Sequence, residues 1–102
     1  MKNKNDQIIE FMGWDYGDSV PGRTLRFWDS YPFEMHLFVA DALEQRMVDD
    51  GWRIFTEHDS DGIDASALHP DRHEDWPRVR DCKSRPAAIV ELFCKVYGIA
   101  EE

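Results

Sequence analysis

Histidine and carboxylate side chains, the residue types that bind transition metals, are concentrated between positions 58 and 75. His69 and His73 are four positions apart, a spacing that places both on one face of a helix. A third ligand to zinc or iron would come from His58, Asp59 or Glu74. The segment has no His-Glu-x-x-His pattern and no apolar stripe, so a solvated loop is favoured. A metal-dependent hydrolase using His58, His69 and His73 is the alternative.

Other catalytic patterns are weaker. The run from Asp59 to Asp64 resembles the start of a calcium loop, but Pro70 stands where such a loop needs a bidentate glutamate. Cys82 has histidines upstream, yet nothing around it forms a nucleophile elbow. The glycines between 17 and 22 match neither a P-loop nor a dinucleotide fingerprint. The sequence therefore predicts no catalytic residue and no cofactor.

Tryptophan and arginine side chains are the candidate binding residues. Basic side chains surround Trp76 in the sequence and suggest a phosphate-binding patch, but acidic side chains between them neutralise most of their field, so a salt-bridged loop is favoured. Aromatic anchors often dominate interface energetics, so tryptophans at a surface would mark a contact site. The predicted binding residues are Trp28, Trp76, Arg78 and Arg80.

The charge of the chain restricts its partners. Among 102 residues, 21 acidic side chains outnumber 12 basic ones, which gives a net charge of −9. This charge repels nucleic acids and anionic membranes, so neither is an expected partner. The acids are scattered rather than grouped in blocks, which favours a solubilising role. An acidic decoy of a nucleic-acid-binding enzyme is a further alternative and requires the carboxylates to gather on one face.

The two cysteines and the apolar segments bear on the cellular compartment of the protein. Cys94 lies in an apolar helical run and Cys82 in a polar stretch, so a disulfide framework is not expected. The first residues lack the apolar region of a signal peptide, and no apolar run approaches the length of a membrane span. A cytoplasmic protein is predicted.

The elements that must position these residues follow from periodicity. Apolar residues recur at helical spacing from Pro32 to about Asp50, where Gly51 ends the helix. Strand-like runs Trp52–Glu57 and Ile63–Leu68 flank an Asp-Ser-Asp-Gly turn, which indicates a hairpin. Further elements are a helix over 6–13, a strand over 23–28, and a last helix that opens with Ser84-Arg85-Pro86 and ends at Gly98.

These elements predict a single α+β domain in the order helix-strand-helix-strand-strand-helix, with helices on a small antiparallel sheet of about three strands. The stretch from His69 to Lys83 is predicted to be a polar loop. If the helices cover one face of the sheet, Trp28 or the pair Leu25 and Phe27 is left at a surface. That face could form a homodimer.

Several segments resemble the phage ABA sandwich domain, a family of small proteins from bacteriophages and prophages. They are Met12-Gly13-Trp14, the central helix from Tyr31-Pro32 to Met47, Gly51-Trp52 before the hairpin, and the closing helix from Arg85-Pro86 to Tyr97-Gly98. The central helix opens with Phe33-Glu34, where the family has Ser/Thr-Asp, and the 69–83 loop is longer than usual. The resemblance implies an α/β/α-like sandwich and a phage or prophage origin, and it carries over no catalytic residue. The expected function is a non-catalytic protein that binds a host protein or small molecule.

Overall fold

The computed structural model describes residues 4–13, 19–20, 23–24, 37–71 and 76–99. The helices are α1 (Lys4–Met12), α2 (Leu37–Asp49) and α3 (Arg85–Tyr97). The strands are β1 (Ser19–Val20), β2 (Arg23–Thr24), β3 (Arg53–His58), β4 (Ile63–Leu68) and β5 (Arg78–Cys82). Strands β3, β4 and β5 form an antiparallel sheet in that order, and β1 pairs with β2 separately. The α+β class and the three-stranded sheet are confirmed.

The β3–β4 hairpin forms where the Asp-Gly signal predicts it. Its register places Arg53 opposite Leu68 and His58 opposite Ile63. The Asp59 carboxylate accepts hydrogen bonds from the backbone N–H groups of Asp61 at 2.8 Å and Gly62 at 3.0 Å. These bonds hold the turn closed, so the hairpin accounts for the carboxylates that resembled a calcium loop.

Strand β5 corrects the prediction of a polar loop from His69 to Lys83. Ile63 pairs with Cys82 and Ala65 pairs with Val79, so one residue of β4 faces two residues of β5. This β-bulge contains Asp81, whose φ of 57° is left-handed. Because of the extra residue, Val79 and Cys82 both point into the core although they are three positions apart, and both are buried.

The element order therefore differs from the predicted one. The third strand of the main sheet is β5, not the strand predicted over 23–28. Of that predicted strand, Arg23–Thr24 is seen, paired with Ser19–Val20. Trp28 lies outside the described residues, as do residues 32–36, so the observed central helix begins at Leu37.

Helix α3 begins and ends as its sequence indicates. The Ser84 hydroxyl caps the helix by accepting the Ala87 N–H at 3.2 Å, and Pro86 lies in the first turn. Gly98 adopts a left-handed φ of 69° at the other end, where the Ile99 N–H donates to the Cys94 carbonyl at 2.8 Å.

The core lies between the helices and one face of the sheet. Helix α3 packs on β4 and β5, while α2 packs on α3 and β3. Helix α1 adds Ile8 and Ile9, and Phe11 meets Phe93 edge to face with ring centroids 5.5 Å apart. The buried hydrophobic residues are Ile8, Ile9, Val39, Ala40, Leu43, Met47, Trp52, Ala65, Ala67, Val79, Cys82, Ala88, Ile89, Val90, Leu92, Phe93 and Cys94.

Candidate functional site

The face of the sheet that points away from the core, here called the outer face, brings together the candidate binding residues. Phe55, Ser66 and Arg78 lie in one row across the three strands because Phe55 is opposite Ser66 and Ser66 is opposite Arg78. Glu57 and Asp64 form the next row towards the hairpin turn. The alternation of each strand sends these side chains outward while their neighbours point to the helical side of the sheet.

Trp76 and Arg78 form a cation–π pair at the edge of this face. The Arg78 guanidinium carbon lies 4.9 Å from the centroid of the Trp76 ring. Trp76 is 53% exposed and Phe55 is 47% exposed. The Ala67 N–H donates to the Pro77 carbonyl at 3.0 Å, which fixes the backbone between the tryptophan and β5. Strand pairing and the Ala67–Pro77 hydrogen bond thus place two aromatic rings and a guanidinium at the surface.

The charges of this face are incompletely paired. Within the part of the chain that the structure describes, Arg78 and Arg80 make no salt bridge. In contrast, Arg85 binds Asp41 at 3.2 Å and Glu44 at 2.8 Å. With respect to the described residues, the guanidinium groups of Arg78 and Arg80 can therefore donate to an anionic group, in a chain whose charge is −9.

A groove of about 210 Å³ runs between these side chains. Its volume is below that of a typical drug-sized ligand site, so it fits one side chain or a short peptide segment better than a large cofactor. Its lining residues are Phe55, Glu57, Asp64, Ala65, Ser66, Trp76, Arg78, Val79 and Arg80.

The structure does not bring His58 and His69 together. His58 ends β3 at the hairpin turn, whereas His69 follows Leu68 at the opposite end of the ladder. Five residue steps along the strand separate these ends, a span of roughly 17 Å. His73 lies outside the described residues. Among the residues that are described, no group of three or more His, Cys, Asp and Glu side chains could hold a metal ion.

His69 instead has a structural position at the end of α2. Its Nδ1 accepts the Asp71 N–H at 3.1 Å, so Nε2 carries the proton and donates to the Asp50 carbonyl at 3.0 Å. The ring also meets Trp52 edge to face, with centroids 5.1 Å apart. Both ring nitrogens are therefore engaged within the chain.

A second polar cluster joins α2 to α3. The Tyr97 hydroxyl donates to the Asp50 carboxylate, which also accepts from Arg46 Nε at 3.1 Å. The hydrogen bond from Tyr97 lowers the pKa of Asp50, and the bond from Arg46 lowers it further. Burial raises the pKa of Tyr97, and its bond to Asp50 adds to this shift. Tyr97 thus stays protonated, and the hydrogen bond from its hydroxyl to Asp50 links α3 to the end of α2.

Cys82 is a protected thiol. Burial raises its pKa to about 11, and the nearby Glu91 carboxylate, 3.4 Å from Sγ, raises it as well. Because the thiolate is the nucleophilic form, this environment suppresses nucleophilic chemistry. Cys94 is also buried and is not bonded to Cys82.

The sequence named three residues of this site, Trp76, Arg78 and Arg80, which the structure places together. It did not name Phe55 or Ser66 as site residues. The alternation of β3 was a usable signal for Phe55, since it puts this apolar residue on the same side as Arg53 and Glu57. The predicted binding residue Trp28 lies outside the described part of the chain.

Comparison of the chain with protein-family models, with curated proteins and with solved structures returns no match. No helix among the described residues is long and apolar enough to cross a bilayer. The outer face is therefore the candidate binding site of the described structure.

Proposed function

We propose that this protein is a non-catalytic binding protein whose outer face engages a partner protein, with the Trp76–Arg78 pair as the anchor. The observation that carries this proposal is the exposed pair itself, with ring and guanidinium 4.9 Å apart and no salt bridge to Arg78 among the described residues. Tryptophan and arginine are enriched among the residues that dominate binding energy.

The chemistry of the groove points to an acidic segment of the partner with an apolar or aromatic side chain beside its carboxylate. Phe55 and Trp76 offer apolar walls, while Arg78 and Arg80 offer donors for a carboxylate. Glu57 and Asp64 line the hairpin end of the same groove and repel a second acidic group there. The partner segment is therefore expected to direct its carboxylate towards Arg78 and away from the turn.

The resemblance to the phage ABA sandwich domain supports a partner from a bacterial host. Under this proposal the protein belongs to a phage or prophage and acts in the cytoplasm of the host cell. The alternative of an acidic decoy is not preferred, because the described carboxylates are carried by several elements, including α2, the β3–β4 hairpin and α3. In addition, the outer face presents three arginines, Arg53, Arg78 and Arg80.

A peptide titration followed by NMR tests the proposal. The probes are a pool of short peptides with Asp or Glu next to Phe or Trp, and a matched pool with Lys in place of the acids. We expect the acidic pool to shift the amide signals of β5 and the indole signal of Trp76. The lysine pool should leave them unchanged.

Variants assign the effect to the groove. Arg78→Ala and Trp76→Ala should each weaken binding about tenfold or more, as expected for anchors worth over about 1.4 kcal/mol. Lys83→Ala removes one positive charge next to β5 without changing the groove lining, so it should bind like the unmodified protein. Equal losses in Lys83→Ala and Arg78→Ala would reduce the effect to net charge and refute the proposed anchor.

A further inference from the structure

Among the described strands, β3 lies at an edge of the main sheet. It pairs with β4 on one side and with no described strand on the other. Its six residues contain neither proline nor glycine, and its pairing with β4 has no bulge. Thr56 and His58 are exposed although they point to the helical side. An edge of this length without proline or a bulge is a template for another strand.

The backbone groups on this edge can be assigned. Asp59 and Gly62 are joined by a hydrogen bond of 2.9 Å from N–H to carbonyl, so Asp59 faces β4. Because hydrogen-bonded and non-bonded pairs alternate along an antiparallel ladder, the odd-numbered residues of β3 bond to β4. The N–H and C=O groups of Ile54, Thr56 and His58 therefore point to the open edge.

The side chains of β3 are complementary to those of a second β3. In an antiparallel pairing with its twofold axis at Phe55, Ile54 of one copy exchanges both backbone hydrogen bonds with Thr56 of the other. The same register places Arg53 opposite Glu57 of the second copy and Phe55 opposite Phe55. These are the closer, non-hydrogen-bonded pairs of the new ladder, where side chains interact most strongly.

Neighbouring registers lack this complementarity. Moving the axis by one residue to Thr56 places Phe55 opposite Glu57, and moving it to Glu57 places two glutamates opposite each other. Moving it to Ile54 places Arg53 opposite Phe55 and leaves Glu57 without an opposite charge. The sequence of the strand thus selects one register out of those that the edge allows.

From these observations we infer that the protein forms a twofold symmetric homodimer by antiparallel pairing of β3, with its axis at Phe55. The contact is isologous, so the dimer contains two Arg53–Glu57 pairs related by the twofold axis. The two sheets join into one of six strands, and the row Arg78–Ser66–Phe55 continues into Phe55–Ser66–Arg78 of the second copy. Two grooves then share one continuous outer face.

Charge exchange between variants tests this register. In a dimer of the Arg53→Glu variant, the introduced glutamate faces Glu57 of the other copy, and in a dimer of Glu57→Arg, the introduced arginine faces Arg53. Sedimentation equilibrium of the 102-residue chain should show dimers for the unmodified sequence. Each variant alone should dimerise at least about tenfold more weakly, from the loss of two attractive pairs and the gain of two repulsive ones.

An equimolar mixture of the two variants provides the decisive measurement. In the mixed dimer the two glutamates of one chain face the two arginines of the other, so the affinity should return to that of the unmodified protein. The double variant Arg53→Glu with Glu57→Arg should also dimerise by itself. A mixture that stays monomeric, or an unmodified chain that stays monomeric up to high micromolar concentration, would overturn the inference.

A proline variant separates the dimer from the peptide site. The N–H of Thr56 points to the open edge, so Thr56→Pro removes a donor of the dimer without removing a β3–β4 bond. It should be monomeric with an unchanged circular dichroism spectrum and should still bind the acidic peptides, while Thr56→Ala keeps the dimer. Arg78→Ala should no longer bind the peptides but should still dimerise. The peptide site and the dimer can therefore be refuted independently of each other.

Discussion

Gly51 and His69 together determine how the chain leaves α2 and enters β3. Gly51 has a φ of 98°, and a Cβ built there would lie 2.8 Å from His69 Nε2. That nitrogen is held by the Asp50 carbonyl, and the ring is held by Trp52. The histidine therefore fills the space that the missing side chain leaves, and both the backbone conformation and the packing require glycine.

Gly51→Ala should therefore destabilise the fold by about 2–5 kcal/mol, from about 1–2 for the left-handed conformation and about 1–3 for overpacking. Gly98→Ala is the matched control, because Gly98 also has a positive φ but nothing lies within 4 Å of its built Cβ. Urea denaturation of Gly98→Ala should show only the loss of about 1–2 kcal/mol that comes from the left-handed backbone conformation. If His69→Ala fails to reduce the cost of Gly51→Ala, the proposed steric contact is wrong.

At the scale of elements, the hairpin and β5 show what local sequence can and cannot predict. The hairpin was predictable because its turn chemistry is local and its strands alternate regularly. Strand β5 was not, because the bulge at Asp81 breaks the period of two and leaves Val79 and Cys82 three positions apart. Its charged residues resemble a loop until β4 supplies the pairing, which is a long-range interaction.

The bulge is supported by a side chain of the neighbouring strand. The Asp81 N–H donates to the Asp64 carboxylate at 3.0 Å, which compensates a backbone donor displaced from the regular ladder. Asp64 also lies opposite Glu57, so repulsion between the two carboxylates destabilises the fold. The Asp64 oxygen stabilises the fold by accepting the Asp81 N–H.

Asp64→Ala should therefore destabilise the protein by about 1 kcal/mol and speed the hydrogen exchange of the Asp81 amide. Asp64→Asn keeps an acceptor oxygen and removes the repulsion from Glu57, so it should be close to neutral. Urea denaturation and amide exchange of both variants give the comparison. Equal stabilities for the alanine and asparagine variants would show that the hydrogen bond does not support the bulge.

At the scale of the whole molecule, the sequence predicted the class of the fold more fully than the composition of its candidate site. Apolar stripes identify which faces are buried, so the packing of helices on a sheet follows from periodicity. Trp76, Arg78 and Arg80 were recognisable because they are neighbours in sequence. Phe55 joins them through the register of three strands, and register depends on turns and bulges that short patterns do not specify.

The domain includes α1 as a part of its core. Ile8 is fully buried and Ile9 is 4% exposed. Phe11 also packs on Tyr97 with ring centroids 4.5 Å apart, and the Arg46 guanidinium carbon lies 4.9 Å from the Phe11 ring centroid. A nine-residue helix is too short to be stable alone, so these contacts must hold it in place.

Truncating a buried side chain of α1 should consequently weaken the entire fold rather than fray one end. We expect Ile8→Ala to cost about 2–5 kcal/mol through lost burial and the cavity left behind. Val48→Ala, at a helix position that is 48% exposed, should stay within about 0.5 kcal/mol. Tryptophan fluorescence and circular dichroism should report one shared urea transition, moved to lower urea in Ile8→Ala. If the midpoint of Ile8→Ala matches that of Val48→Ala, α1 does not belong to the cooperative core.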